Sequence, residues 1–254
     1  NTASKTGSTE IFFTTDTVHT ISLDVDETVL TDMLAAYQKD GSKNWIEANV
    51  TIDGETFEKV GLKLKGNSTL KNVAKQSTDE INAAELPWVI RLDKYVDDQT
   101  YLGRTRFVVR GNNTESSLNE AVSLAMLTEA GMETEASAFT RFSVNGSTEK
   151  LRLVIDVPDD DLWTEEHFGS NGLLYKAEST GDYTYRGTDA ADYADAFEQK
   201  YGDDDMTPLI SFLDFINNST DDEFAEKLED YLDVDEFATY LVMQDLVAND
   251  DAID

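Results

Sequence analysis

At 254 residues and 40% apolar content, the chain can fill one large core or two modest ones. It carries 52 acids against 20 Lys and Arg, a formal net charge of −32, which argues against non-specific nucleic-acid binding and attraction to anionic membranes. The absence of cysteine removes disulfides and thiolate metal sites, and two histidines do not make a multi-histidine zinc centre. No apolar run approaches the roughly 20 residues that a membrane helix needs.

Residues 1–10 are small and polar and read as a flexible leader. Val18, Ile21, Leu23 and Val25 then predict a strand, and Val29, Leu30, Met33, Leu34 and Tyr37 share one face of a helix. Alternating Ile46, Ala48, Val50 and Ile52 lead to Asp53-Gly54, a hairpin turn signal, and a returning strand ends in "VGLKLKG". "LPWVIRLDKY" and "RFVVRG" read as two more strands. A helix over about 117–130 is punctuated by Ser117-x-x-Glu120, a capping-box spacing, and by Gly131 at the C-cap. "FTRFSV", Asn145-Gly146 and "LRLVIDV" give a further hairpin.

After about residue 157 the pattern turns to helices and acidic loops. Thr207-Pro208 opens one helix, and Asp233 to Glu236 open a last one whose apolar run, Phe237 to Met243, predicts burial on most sides. The fold class is α+β, with a strand-rich part over 11–157 and a helical part over 158–254.

The basic residues are concentrated. Between Lys59 and Arg110 there are ten Lys or Arg against six acids, so this stretch is locally positive in a strongly acidic chain. That suits an anion site, phosphate above all, or else strand faces whose cations pair with the excess acids. Lys63 and Lys65 share the face opposite Leu62 and Leu64, just before the small, amide-rich turn Gly66-Asn67-Ser68-Thr69. The order of a P-loop is missing. Arg91 lies opposite Ile90 and Leu92, and Asp156 opposite Leu153 and Ile155, so a cation and an acid on two strands could pair across a cleft or stand as ordinary surface charges. Asn249, Asp250 and Asp251 follow the last helix. Carboxylates there suit a general base or a hard-cation ligand, or a frayed acidic end.

Seven stretches occur in the order found in the CotH kinases, the spore-coat-protein-H-like family: "VGLKLKGNST", "LPWVIRLDK", "SLNEAVSLAMLTEAGM", "FSVNG", "HFGSNGLLYKA", "LISFLDFIN" and "YLDVDEFATYLVMQDLVANDD". The resemblance runs from about Ile11 to the last residue. It implies an atypical, two-lobed protein-kinase-like fold that transfers the γ-phosphate of ATP, with Mg or Mn, to Ser or Thr of a protein substrate. It places Lys65 near the nucleotide phosphates, Arg91 where the family often has Lys, and Asp156 where it usually has the partner Glu. Asp251 matches the Asp of the family's Asn-Trp-Asp loop, which would accept the substrate hydroxyl proton, and Asp250 replaces its Trp.

Arg for Lys and Asp for Glu change reach and geometry at a compact phosphate site. The metal-binding Trp-Asp-x-Asp segment that follows in the family is not in this sequence, so the chain reads as truncated and inactive as it stands. The alternative that the resemblance leaves open is a surface adhesion or scaffold module without turnover. A calcium-dependent carbohydrate module ranks last. Export to the cell surface or a spore coat is the expected location.

Overall fold

The computed structural model describes residues 12–14, 16–66, 70, 81–112, 114–158, 160–178 and 181–249. β1 (Val18–Asp24) is followed by α1 (Glu27–Asp40), then β2 (Ile46–Ile52) and β3 (Glu55–Leu64). Asp26 caps α1 by accepting from the N–H groups of Thr28 and Val29, and Gly41 ends it at φ 78°. Met33, Leu34 and Tyr37 are its buried face, as their spacing predicts. Asp53 and Gly54 both take positive φ, 48° and 88°, the conformation that a two-residue hairpin requires. β4 (Trp88–Arg91), β5 (Arg106–Val109), β6 (Ser137–Val144) and β7 (Lys150–Ile155) complete the wall.

The seven strands close into a barrel in the order β1-β2-β3-β4-β5-β7-β6, and parallel pairing of β1 with β6 makes the seam. The sequence does not announce closure, because that seam joins residues about 120 positions apart, such as Ile21 with Phe142. Asn145 locks it. Its side chain accepts from Val25 N–H and donates to Val25 carbonyl, each at 2.8 Å, extending the ladder past the strand ends.

Alternation separates an inner from an outer face. Val50, Leu62, Leu64, Trp88, Ile90, Phe107, Val109, Phe142 and Val154 belong to one buried cluster, the barrel core. The residues between them on β4, β5 and β7, namely Val89, Val108, Leu153 and Ile155, form a second cluster with Val157 on the outside. Ala121 and Leu124 of α2 (Asn119–Glu129) pack on that outer cluster.

The capping box at Ser117 does not form. The helix begins at Asn119 and Ser117 sits at φ 59°, so Glu120 is free to face the barrel instead of its own N-cap. Gly131 does end the helix, at φ 84°. Its N–H donates to Thr128 and that of Met132 to Leu127, the paired bonds of a Schellman cap.

The described residues fall into two compact units. Those up to Leu124, with Glu135–Val157, form the barrel unit, and Ala125–Thr134 with those from Pro158 onward form the other. The second unit holds α3 (Asp161–Phe168), a two-stranded antiparallel sheet of β8 (Leu174–Ala177) and β9 (Phe197–Tyr201), α4 (Thr207–Asn218), α5 (Asp221–Lys227) and α6 (Val234–Leu246). Its core is Tyr193, Ala196, Phe197, Leu209, Ile210 and Leu213. Contrary to the expectation of burial on most sides, α6 buries only Met243, and Val242 and Leu246 are 66% and 62% exposed. A run that is apolar at every position but Thr239 has little polar side to set its orientation, so its burial depends on neighbours that the run itself does not specify.

Candidate functional site

The positive stretch becomes a pattern once the register is known. Lys63, Val89, Val108 and Ile155 lie abreast on the outer face across β3, β4, β5 and β7. One step towards the start of β4, the abreast residues are Lys65, Pro87 and Arg110. Lys65 N–H donates to Pro87 carbonyl at 3.1 Å, and Arg110 N–H to Leu153 carbonyl at 2.8 Å. Lys65 and Arg110 are thus two strands apart, roughly 10 Å between backbones. The residue between them is a proline, whose short side chain leaves a gap between the two long ones that is covered, since Pro87 is itself buried. Gly66, at φ 92°, then turns the chain away.

Glu120, at the start of α2, faces this gap. Its Oε1 lies 2.6 Å from Arg110 Nε, and both side chains are about one-third exposed. The contact is an ion pair by distance, although Nε makes no well-directed hydrogen bond. Burial raises the Glu120 carboxyl above its ordinary value. The charges of Arg110 and Lys65 pull it down, and that of Glu135 pushes it up.

The residues singled out in the sequence are distributed differently. Lys65 is at the gap. Arg91 is on the same outer face but four residues of β3 away, since it pairs with Gly61, roughly 13 Å along the strand. Its Nε donates to Asp93 Oδ1 at 2.9 Å. Asp156 follows Ile155 and by alternation falls on the Val154 side, away from the outer face. It is 3% exposed, and its Oδ1 accepts from Ala136 N–H at 2.8 Å. Arg91 and Asp156 are therefore not brought together. Their strands alternate as expected, but the outer face of β7 carries Leu153 and Ile155, so the acid opposite them points inward. Asp251 and the turn residues Asn67, Ser68 and Thr69 lie outside the described residues, as do residues 1–11.

Sequence reasoning missed Arg110 and Glu120. Arg110 was visible only as one of ten cations, and Glu120 was hidden by a capping role. The signal that would find them is strand register, which alone sets Arg110 beside Lys65. Lys63 stands over the Trp45 ring at 4.7 Å and Lys94 at 5.3 Å, so part of the positive stretch covers an indole.

Two cations flanking a side-chain gap fit the phosphates of a nucleotide. For a divalent metal the donor set is not assembled among the described residues, where no three His, Asp or Glu side chains converge. No described helix is long and apolar enough to cross a membrane. Residues 62–254 match the family described as CotH kinase protein. No curated protein matches the chain.

Proposed function

The chain belongs to the CotH kinase protein family, and from that premise we propose that it is an ATP-dependent phosphotransferase acting on Ser or Thr hydroxyls of a protein substrate. In this reading the barrel unit is the nucleotide lobe and the helical unit the second lobe of an atypical protein-kinase-like fold. The observation that carries it is the placement of Lys65 and Arg110 on either side of Pro87, with Glu120 beside Arg110.

Phosphoryl transfer asks a protein mainly for positioning and charge neutralisation. Lys65 and Arg110 hold the phosphates, one as a compact cation and the other as a planar donor. Glu120 pairs with Arg110, whereas the sequence resemblance made Asp156 the acid partner of Arg91. Arg91 adds positive potential farther along the same face, and Asp156 instead fixes the loop that enters β6. Bound ATP supplies the transferable phosphoryl group, with Mg or Mn to neutralise it. Asp251, assigned from the Asn249-x-Asp251 motif alone, accepts the proton of the substrate hydroxyl.

A binding module that keeps the fold without turnover is the second reading, and the inward placement of Asp156 favours it. Full-length protein separates the two. ATP with Mg²⁺ or Mn²⁺ at 100 times its dissociation constant stabilises a specific site by about 2.7 kcal/mol, read as a higher Tm. The kinase reading expects that shift and phosphate incorporation from labelled ATP, with Asp251→Asn abolishing incorporation while keeping the shift. A shift without incorporation in the wild type points to nucleotide binding without turnover, and no shift at millimolar ATP counts against the kinase reading and favours the adhesion or scaffold module.

A further inference from the structure

Arg152 is a cation inside the barrel. It is 2% exposed and lies on the same inner side of β7 as Val154, with Phe142 of the core 5.7 Å from its guanidinium carbon. Among the described residues no carboxylate forms an ion pair with it. Its partners are backbone carbonyls: Nε donates to Arg110 at 2.9 Å, Nη2 to Leu86 at 3.0 Å and again to Arg110, and Nη1 to Ala84. Burial lowers its pKa to about 10, against the favourable charge of Glu85 outside. Even so lowered, the group stays charged at neutral pH.

The three carbonyls are not scattered. Ala84 and Leu86 belong to the segment that enters β4, where Ala83–Glu85 form a 3-10 turn that Trp88 Nε1 also holds through Ala83 carbonyl at 2.9 Å. That segment continues into Pro87, the residue to which Lys65 N–H is bonded. The third carbonyl is that of Arg110 itself. One planar group therefore ties the backbone next to Lys65's partner to the backbone of Arg110, from the side of the wall opposite their side chains.

We propose that Arg152 is a positioning residue: from inside the barrel it sets the spacing of Lys65 and Arg110, and with it the affinity of the outer face for phosphate. The spacing matters because phosphate oxygens are bound over a narrow range of distance, and a shift near 1 Å in a positioned group is costly. A planar five-donor fork suits the task, since it can hold carbonyls from two chain segments at once. Lysine at this depth offers three donors on one nitrogen and cannot reproduce these four bonds, which leave from three nitrogens.

The inference rests on the nucleotide reading, so its test has two arms. The first needs no nucleotide: amide hydrogen exchange in Arg152→Met and Arg152→Lys, with Arg152→Lys carrying the test if the methionine variant does not fold. Exchange of the Lys65 and Arg110 amides should accelerate about tenfold more than that of β1 and β2, to which none of Arg152's hydrogen bonds runs. The second is ATP affinity of the folded variants well below their Tm, expected to weaken about tenfold.

A lowered Tm with uniform exchange and unchanged ATP affinity would overturn the positioning role and leave Arg152 as a core group only. Selective exchange in the variants together with no ATP binding by the wild type would uphold the tie between the two segments and overturn the nucleotide reading. Selective exchange with undiminished ATP affinity would overturn the claim that this tie controls phosphate binding.

Discussion

The two compact units differ sharply in charge density and in how they bury their apolar residues. The helical unit holds 30 acids against 4 bases, a net −26, whereas the barrel unit holds 22 against 16, a net −6. The barrel has a continuous core with Val50, Ile52, Val60, Leu62, Leu64, Trp88 and Phe107 fully buried, while α6 leaves Leu241, Val242 and Leu246 exposed. Sixteen of the twenty cations belong to the unit that contains the closed barrel, and strand register sets the spacing of those on its described strands. A positive site needs such a scaffold more than a high local charge, because the same number of lysines on loops would not hold a spacing.

The contrast can be broken by mutation. Phe142→Ala, at a fully buried position of the barrel, should cost about 3–5 kcal/mol in a urea titration. An effect below 1 kcal/mol would mean that the barrel is not the stable part. Next in size is salt. Between 0.05 and 1 M NaCl, amide exchange in α4 and α5 should slow several-fold more than in β2 and β3, since added ions screen the repulsion within the net −26 unit. Equal slowing in both units would remove charge as the difference between them.

Acid offers a finer probe of the barrel. Burial raises the Asp53 carboxyl, but hydrogen bonds from Thr20 N–H, His19 and Tyr101 outweigh it and hold the group below its ordinary value of 3.8. A depressed carboxyl contributes stability that is present above the unfolded value of about 3.9 and lost as pH falls through the lower folded value. Tm should therefore fall between pH 5 and 2 more steeply in the wild type than in Asp53→Asn, and parallel curves would show that this cluster contributes nothing. The smallest effect belongs to α6. Val242→Ser should change stability by no more than about 0.5 kcal/mol, and a loss of 2 kcal/mol would restore the buried helix that the sequence suggests.

What the sequence made legible was local. Asp53-Gly54, Gly131 and the alternation of β2 and β3 each carry their own physical signal, and each element stands where that signal puts it. What it hid was non-local. The parallel seam between β1 and β6, the inward side of Asp156 and the approach of Glu120 to Arg110 depend on which strand lies beside which. Lys65 was found because it stands next to a glycine-containing turn. Arg110 needed β4 and β5 to be paired first. The positive stretch outlines the proposed site, and only the register chose its members.

The central claim is that Lys65 and Arg110 form one phosphate site and that Arg91, on the same face, is outside it. Calorimetric titration of ATP with Mg²⁺ into the full-length protein and its Lys65→Gln, Arg110→Gln and Arg91→Gln variants tests this directly. Saturable binding that weakens about tenfold in each of the first two variants, and less than twofold in the third, is the predicted result. Binding that is lost with Arg91 and retained without Arg110 would contradict it.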